Sequence, residues 1–271
     1  MSQDKIIKIG TLGSLATFAG EATRRMRELY PEFSNPLYFP SMDDCWRELK
    51  AGKVDAVVLG AERTGQAHHG HAVIAHGFYV IGESSQLLGC NLYVKSGSTK
   101  GEIRRITGHG SIYQCTNYLD REFPGVPREA HGLNSVEAAK AVMGGDGTVA
   151  VVGTRSLPQM VSGLEEMAAG IDDGAISSWW AVSNRPLFSS RPEVLFTTSR
   201  CGPDGQLGRL IAAIMDTGYL LQTAAPFPVN TGVSIYDYIL TFHGKGKLSS
   251  VEKVIQRFRD TRLAGAFDKR T

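Results

Sequence analysis

The first part of the chain alternates between short apolar runs and segments with helical spacing. Residues 5–11 form a β-rich apolar segment, and a turn of small residues follows at 13–17. The next apolar residues recur at helical spacing, at Phe18, Ala22, Met26 and Leu29. A strand that leads into a helix through a tight loop has this pattern. The continuous apolar run 54–59 is typical of a strand in a parallel sheet, so the pattern predicts an α/β lobe.

A second unit of the same kind begins near residue 97 and extends to about residue 170. It contains a strand at 103–106, a helix at 111–123, a helix capped by Asn134 and Ser135, and a buried strand at 148–152. The apolar run 176–182 then returns the chain to the first unit. Ligands of such open sheets bind at the carboxyl ends of strands and at helix N-termini. We therefore expect the site at the loops that precede these helices.

The pattern changes after residue 191. A strand at 193–198 is followed by an amphipathic helix that ends at Gly218, by two alternating strands at 219–223 and 233–242, and by a helix at 250–259. This β-α-β-β-α order is that of a ferredoxin-like domain, which a last strand usually completes. The sequence thus predicts a two-lobed body over residues 1–191 and a separate α+β domain over 192–271.

Composition and charge narrow the class of protein. The chain has 271 residues, of which 42% are hydrophobic, and a formal net charge of +2 from 29 basic and 27 acidic residues. With this balance of charges, we expect no strong electrostatic attraction to nucleic acid or to a membrane surface. The first five residues lack the apolar core of a signal peptide, and the four cysteines have no close pairs. We expect a cytoplasmic protein with reduced thiols.

Four short motifs occur in the order found in prephenate dehydratases. Gly13–Phe18 resembles that family's Gly-Pro-x-Gly-Thr-Phe, and Val57–Thr64 resembles its Val-Val-Pro-Ile-Glu-Asn-Ser. His109–Cys115 resembles His-Pro-Gln-Ala-Leu-x-Gln-Cys, one residue short, and Asn134–Ala139 matches Ser-Thr-x-Glu-Ala-Ala. The resemblance implies a body like a type II periplasmic binding protein, followed by a regulatory ACT domain from about residue 192. The phenylalanine-sensing Glu-Ser-Arg-Pro of dehydratases falls on Thr223–Pro226 in this chain, so the resemblance implies no feedback by phenylalanine.

One motif departs from the family in a way that bears on the chemistry. The family's Asn-x-Thr-Arg-Phe falls on Ile176–Trp180, so that Ser178 replaces the threonine and Trp179 the arginine. Tryptophan offers one N–H and an aromatic face where arginine offers a fork of donors to a carboxylate. The prephenate decarboxylases of this superfamily are similar in lacking the arginine and carrying a Ser-Trp pair.

The resemblance and the loop positions together define the candidate site. The candidate catalytic residues are Ser178, Trp179, Thr17 and Ser135, and the candidate substrate-binding residues are Gly13, Ser14, Glu62, His109, Ser111 and Asn134. Simpler structural roles stay open for several of them. Thr17 and Ser135 are also ordinary helix caps, Ser178 and Trp179 can be core strand residues, and Glu62 can pair with Arg63 at the surface.

Three functions follow from these residues. The leading hypothesis is a lyase that acts on prephenate or a related cyclohexadienyl carboxylate and releases CO2. The alternatives are a prephenate dehydratase that makes phenylpyruvate, and a catalytically inactive protein that binds a small carboxylate.

We expect no cofactor and no metal, because no nucleotide-binding motif is present and no carboxylate or cysteine completes a metal set with the histidines of residues 68–76. The partners expected are a small carboxylate and a second copy of the chain, since ACT domains bury their faces by pairing. A homodimer or homotetramer is therefore expected.

Overall fold

The computed structural model of the chain describes residues 6–63, 66–67, 73, 77–131, 134–229 and 232–270, with only the backbone described for 62, 63, 66 and 67. The strands are β1 (Ile9–Leu12), β2 (Leu37–Phe39), β3 (Ala56–Arg63), β4 (Gln66–Ala67), β5 (Tyr79–Leu87), β6 (Cys90–Lys95), β7 (Arg105–Gly108), β8 (Arg128–Ala130), β9 (Val149–Thr154), β10 (Leu164–Ala168), β11 (Ile176–Ser183), β12 (Val194–Cys201), β13 (Tyr219–Pro228), β14 (Tyr236–Gly244) and β15 (Thr261–Phe267). The α-helices are Phe18–Leu29, Met42–Lys50, Thr116–Glu122, Ser135–Met143, Gln206–Met215 and Leu248–Ile255, and short 3₁₀ helices lie at Lys100–Glu102, Gly110–Gln114 and Leu157–Gln159.

The first lobe is built on parallel strands at the start of the chain. β1 pairs in parallel with β2 and β3, and β11 returns antiparallel between β3 and β5. The helix Phe18–Leu29 covers one face with Ala22 and Met26, both fully buried. Helix packing against a nearly continuous apolar strand explains why Val57 and Val58 are buried on opposite faces.

The second lobe has its own five-stranded sheet in the order β10-β6-β9-β7-β8. It begins at Cys90, before the boundary near residue 97 that the pattern suggested. Two chain segments join the lobes, one between β5 and β6 and the other between β10 and β11. They are tied together because Asp172, 4% exposed, accepts hydrogen bonds from the backbone N–H groups of Gly89 (3.2 Å) and Cys90 (3.3 Å).

The lobes also contact each other directly. The hydroxyl of Thr154 in the second lobe donates to the carbonyl of Ala16 in the first, at 2.8 Å. The backbone N–H of Ser156 donates to Glu21 Oε1 at 2.9 Å. Both acceptors lie at the start of helix Phe18–Leu29, so the second lobe is held close to that helix N-terminus.

The C-terminal domain follows the order β12, helix, β13, β14, helix, β15. This is the predicted ferredoxin-like arrangement, and β15 supplies the last strand. Gly205 precedes the first helix in the left-handed region, at φ 75°. Both helices pack on one face of the sheet around Leu195, Leu240 and Phe242.

The opposite face of that sheet packs on the first lobe. β15 pairs with β5 through one parallel bridge, Gly265 with Val80, so that a single ten-stranded sheet runs from the C-terminal domain into the first lobe over the described residues. A Cβ at Gly265 would lie 2.6 Å from the Val80 carbonyl oxygen, so the strands meet only because a glycine stands there. Trp180 packs edge-on against Phe196, with ring centroids 5.0 Å apart, in a core shared by both units.

The predicted fold class is confirmed: two α/β lobes are followed by a C-terminal α+β unit. The domain boundary at residue 191 stays a prediction, because the two units share one sheet and one apolar core.

Candidate active site

A cavity of about 310 Å³ lies between the two lobes. Apolar side chains make most of its wall on the first lobe, and polar residues of the second lobe close the other side. The described lining residues are Leu12, Gly13, Thr17, Phe18, Ala19, Met42, Val58, Leu59, Gly60, Leu88, His109, Ser111, Asn134, Ser135, Ser177 and Trp179. Seven of the ten predicted site residues are in this set, so the structure brings most of them together at one cavity.

Strand β11 contributes two of its residues to the cavity. Ser177 and Trp179 are 3% and 8% exposed and lie on one face of the strand, since successive residues of a strand point to opposite faces. The indole Nε1 of Trp179 donates to the Oγ of Ser177 at 2.9 Å. Trp179 also packs with Ile9, Met26 and Ile81, so it is both a core residue and a wall of the site.

Ser178 lies on the other face of β11, outside the cavity lining. Its Oγ is 3.1 Å from the Oγ of Ser85 on the neighbouring strand. The alternation of the strand is the physical reason: the side chains of the adjacent Ser178 and Trp179 point to opposite faces of the sheet, and of the two only Trp179 is among the lining residues. The hydroxyl that the strand brings to the site is that of Ser177, which the sequence reasoning did not select.

The loop before the first helix supplies Gly13 and Thr17. The Thr17 hydroxyl donates to the Ser14 carbonyl at 2.7 Å and accepts from the Gly20 N–H at 3.1 Å, as an N-cap does. Its proton is therefore engaged within the loop. Gly13 has φ 86°, and a Cβ there would lie 2.8 Å from the Thr17 side chain. Ser14 is not among the lining residues, and its Oγ is buried with no partner in the described part of the chain.

The second lobe brings Asn134, Ser135 and Ser111 to the cavity. Asn134 Oδ1 accepts from the N–H groups of Val136 (3.0 Å) and Glu137 (3.1 Å), so this oxygen is a helix cap. The Oγ of Ser135 is buried and has no hydrogen-bond partner among the described residues, and the buried hydroxyl of Ser111 lies beside the thiol of Cys90.

Two predicted binding residues have other positions. His109 lines the cavity at the start of the 3₁₀ helix Gly110–Gln114, where its carbonyl accepts from Ile112 at 2.9 Å. Glu62 pairs through its backbone with Ser178, and its side chain lies outside the described part of the structure.

The described lining of the cavity has no side chain with a permanent charge. None of the described lining residues is Lys, Arg, Asp or Glu. The buried Cys90 thiol beside Ser111 is not a nucleophile, because its hydrogen bond with Cys115 and burial raise its pKa far above the usual range. The available polar groups are hydroxyls, an imidazole, an amide and helix N-termini, which bind anions without a full positive charge.

Comparison with known families identifies the two-lobed part of the chain. A family model described as "Prephenate dehydratase" matches residues 9–186, which is more than half of the 271 residues. The chain belongs to the prephenate dehydratase family.

Relatives of the family match at low identity. A bifunctional chorismate mutase/prephenate dehydratase from Neisseria gonorrhoeae is 25% identical over 178 residues, covering 64% of this chain and 48% of that protein. The protein of the same name from Pseudomonas aeruginosa is 23% identical, covering 97% of this chain and 73% of that protein. The chain thus spans about half the length of the first of these relatives.

Two solved structures with the same fold are described with different functions. The prephenate dehydratase from Arthrobacter aurescens, in complex with L-Phe, has a TM-score of 0.80 at 17% identity and covers 97% of this chain and 90% of that chain. GqqA, described as a novel type of quorum quenching acylase, has a TM-score of 0.79 at 17% identity and covers 97% and 98%. At this identity, both show the fold alone.

The described residues contain neither a group placed to hold a metal ion nor a helix that could span a membrane. No group of three or more His, Cys, Asp or Glu among them is placed to hold a metal ion, and the histidines at 68, 69, 71 and 76 lie outside the described residues. No helix of the described chain is both long and apolar enough to cross a membrane.

Proposed function

We propose that the chain is a lyase that removes CO2 from prephenate or a related cyclohexadienyl carboxylate. One observation carries the proposal: Trp179 forms a buried wall of the cavity between the two lobes, whose described lining has no lysine or arginine. A carboxylate placed against the indole loses its hydration and gains no ion pair. Its loss as neutral CO2 relieves that penalty.

The proposed reaction balances without a cofactor. The bond between the ring carbon and its carboxylate breaks, CO2 leaves, and the electron pair moves through the adjacent ring double bond. A proton is then taken up at the far end of that double bond, and the ring hydroxyl stays. A dehydratase would also expel this hydroxyl and form an aromatic ring, for which it must donate a proton to the leaving oxygen.

The described hydroxyls give limited support to elimination of the ring hydroxyl. Thr17 is engaged as a cap, and the Oγ of Ser177 already accepts from Trp179. Ser111 and Ser135 have hydroxyls available, but an alcohol is a weak acid for this task. We therefore favour decarboxylation with the hydroxyl retained.

We also propose that two copies of the chain associate through the C-terminal domain. β13 is an edge strand, and most of its residues from Leu220 to Pro228 are exposed or half-buried. Light scattering on the purified chain tests this, with a dimer or tetramer as the expected result and a monomer as the contrary one.

Product analysis with prephenate tests the reaction. The expected result is release of one CO2 per prephenate and a non-aromatic product that keeps its hydroxyl, detected by proton NMR. Phenylpyruvate would instead identify a dehydratase, and unchanged prephenate at saturating concentration would favour a binding protein. Acylase activity, which the description of GqqA gives for that protein, without release of CO2 from prephenate would overturn the proposal.

A further inference from the structure

One buried hydroxyl in the cleft, that of Ser135, lacks a hydrogen-bond partner among the described residues. Ser135 is 2% exposed, and Ser111, 1% exposed, has its hydroxyl beside the thiol of Cys90. Buried side-chain hydroxyls are nearly always bonded, because leaving one unbonded costs free energy. Both residues line the cavity, so a ligand in the cavity can supply the missing partner.

Both hydroxyls belong to the second lobe and lie at starts of helices. Ser135 is the first residue of the nine-residue helix Ser135–Met143, and Ser111 lies in the 3₁₀ helix Gly110–Gln114. Asn134 Oδ1 takes the N–H groups of Val136 and Glu137, which leaves the Ser135 N–H at the positive end of the helix. Hydroxyl donors at such an end favour an anion.

The first-lobe wall of the cavity is apolar. Its lining includes Met42, Val58, Leu59 and Trp179, and the Trp179 N–H already donates to Ser177. A carboxylate on that side would lose its water and meet no donor from these four side chains. The cavity is therefore polarised between its two walls.

We infer that the second-lobe wall, formed by Ser111 and Ser135, is a carboxylate subsite that holds the one carboxylate retained through the reaction. This rests on the proposed function, in which the other carboxylate is lost beside Trp179. The substrate class is then a six-membered ring with a carboxylate on a short side chain. The cavity binds the monocarboxylate product more tightly than an unreactive dicarboxylate of the same shape.

Calorimetric titration with unreactive ligands tests the subsite without any turnover. The probes are phenylpropanoate, a cyclohexane analogue with a second carboxylate on the ring carbon that carries the side chain, and the neutral phenylpropanamide. We expect phenylpropanoate to bind at least about tenfold more tightly than either analogue, because one anion is accommodated and a second is not. Equal or tighter binding of the dicarboxylate would overturn the inference.

Substitution of each serine tests whether these two residues form the carboxylate subsite. Ser111→Ala and Ser135→Ala should each weaken phenylpropanoate binding by roughly tenfold or more, the scale for a hydrogen bond to a charged group. Thr197→Val is the control: Thr197 also has a buried, unpartnered hydroxyl, but it lies in β12 outside the cavity, and binding should not change. Unchanged binding by both serine variants would contradict the subsite.

The lyase reaction and the carboxylate subsite can be refuted independently of each other. If the serine variants lose phenylpropanoate while the wild-type chain leaves prephenate intact, the carboxylate subsite stands and the lyase reaction falls. If prephenate loses CO2 while the serine variants bind phenylpropanoate normally, the reaction stands and the subsite falls.

Discussion

The indole nitrogen of Trp179 donates a hydrogen bond to the hydroxyl of Ser177, 2.9 Å away and two residues earlier on the same strand. The bond fixes the indole plane against the cavity and uses the one donor that tryptophan has. Trp179 therefore presents an aromatic surface to a ligand. This is the group that replaces the family's arginine in the sequence resemblance.

Trp179→Arg should strengthen the binding of dicarboxylate ligands and slow the release of CO2. A guanidinium in the cavity would donate to the carboxylate that otherwise lies against carbon, which is worth about 1.5–3 kcal/mol for a charged hydrogen bond. Stabilising the ground state more than the transition state lowers turnover. Calorimetry with the dicarboxylate and a CO2-release assay measure the two effects.

A melting curve of the same variant is its control. Trp179 is 8% exposed and packs in the core of the first lobe, so some loss of stability is expected. Collapse of the folded state would mean that the residue serves the core alone and that its place in the site is incidental.

Ser177→Ala and Ser178→Ala form a matched pair on opposite faces of β11. Ser177→Ala leaves the buried Trp179 N–H without an acceptor, so it should lower the free energy of unfolding by about 1–3 kcal/mol and reduce kcat/KM. Ser178→Ala removes only a contact with Ser85 and should change stability by less than about 0.5 kcal/mol. Denaturant titrations and steady-state kinetics check both, and the reverse order of effects would show that the strand faces are assigned wrongly.

Glu83→Gln should raise the melting temperature at neutral pH. Burial raises the pKa of the Glu83 carboxyl above its usual range. The nearby His243, with its Nε2 3.5 Å from Glu83 Oε1, has a pKa lowered by burial, so no strong ion pair compensates. Below the unfolded-state pKa of glutamic acid, both states are protonated and nothing is lost. As pH rises above it, the unfolded state ionises first and folded stability falls.

The measurement for Glu83 is a melting temperature as a function of pH. The difference between Glu83→Gln and the wild-type chain should be small at pH 4 or below, about the unfolded-state pKa, and should grow toward neutral pH. A difference that is constant with pH would show that the carboxyl's ionisation is not its cause.

Phenylalanine should not bind tightly to the C-terminal domain. Thr223, Ala224 and Ala225 stand where the resemblance expects Glu-Ser-Arg, and they lie on edge strand β13 without a charged side chain. A free amino acid has two charges that need partners when it leaves water. Calorimetry should detect no binding at micromolar concentrations, and micromolar affinity would refute this prediction.

The hydrophobic pattern predicted most of the fold because each element was locally encoded. Periodic apolar residues marked the helix Phe18–Leu29 and the strands β3 and β11, and the β-α-β-β-α order predicted β15. The sharing of one sheet by two units was not predictable. It depends on one bridge between Gly265 and Val80, whose sequence separation gives no local signal.

The site was predictable to the level of the cleft but not of the strand face. The motif resemblance located Gly13, His109 and Ser135 at the cavity. It also proposed two adjacent residues of β11, and strand alternation allows only one of them to face the cavity. Recognising β11 as a regular strand would have directed attention to Ser177 as the partner of Trp179.

Because Gly265 pairs with Val80, the C-terminal domain covers the edge of the first lobe that strand β5 forms. Ending the chain at residue 191 would strip β15 from β5 and leave β5 as an open edge with unpaired backbone groups. The shared core would also open, since Phe196 and Ala264 would no longer cover Val80 and Trp180. Open edges beside apolar surface recruit other chains, so the two-lobed body by itself should aggregate, and the C-terminal domain protects this edge of the first lobe from aggregation.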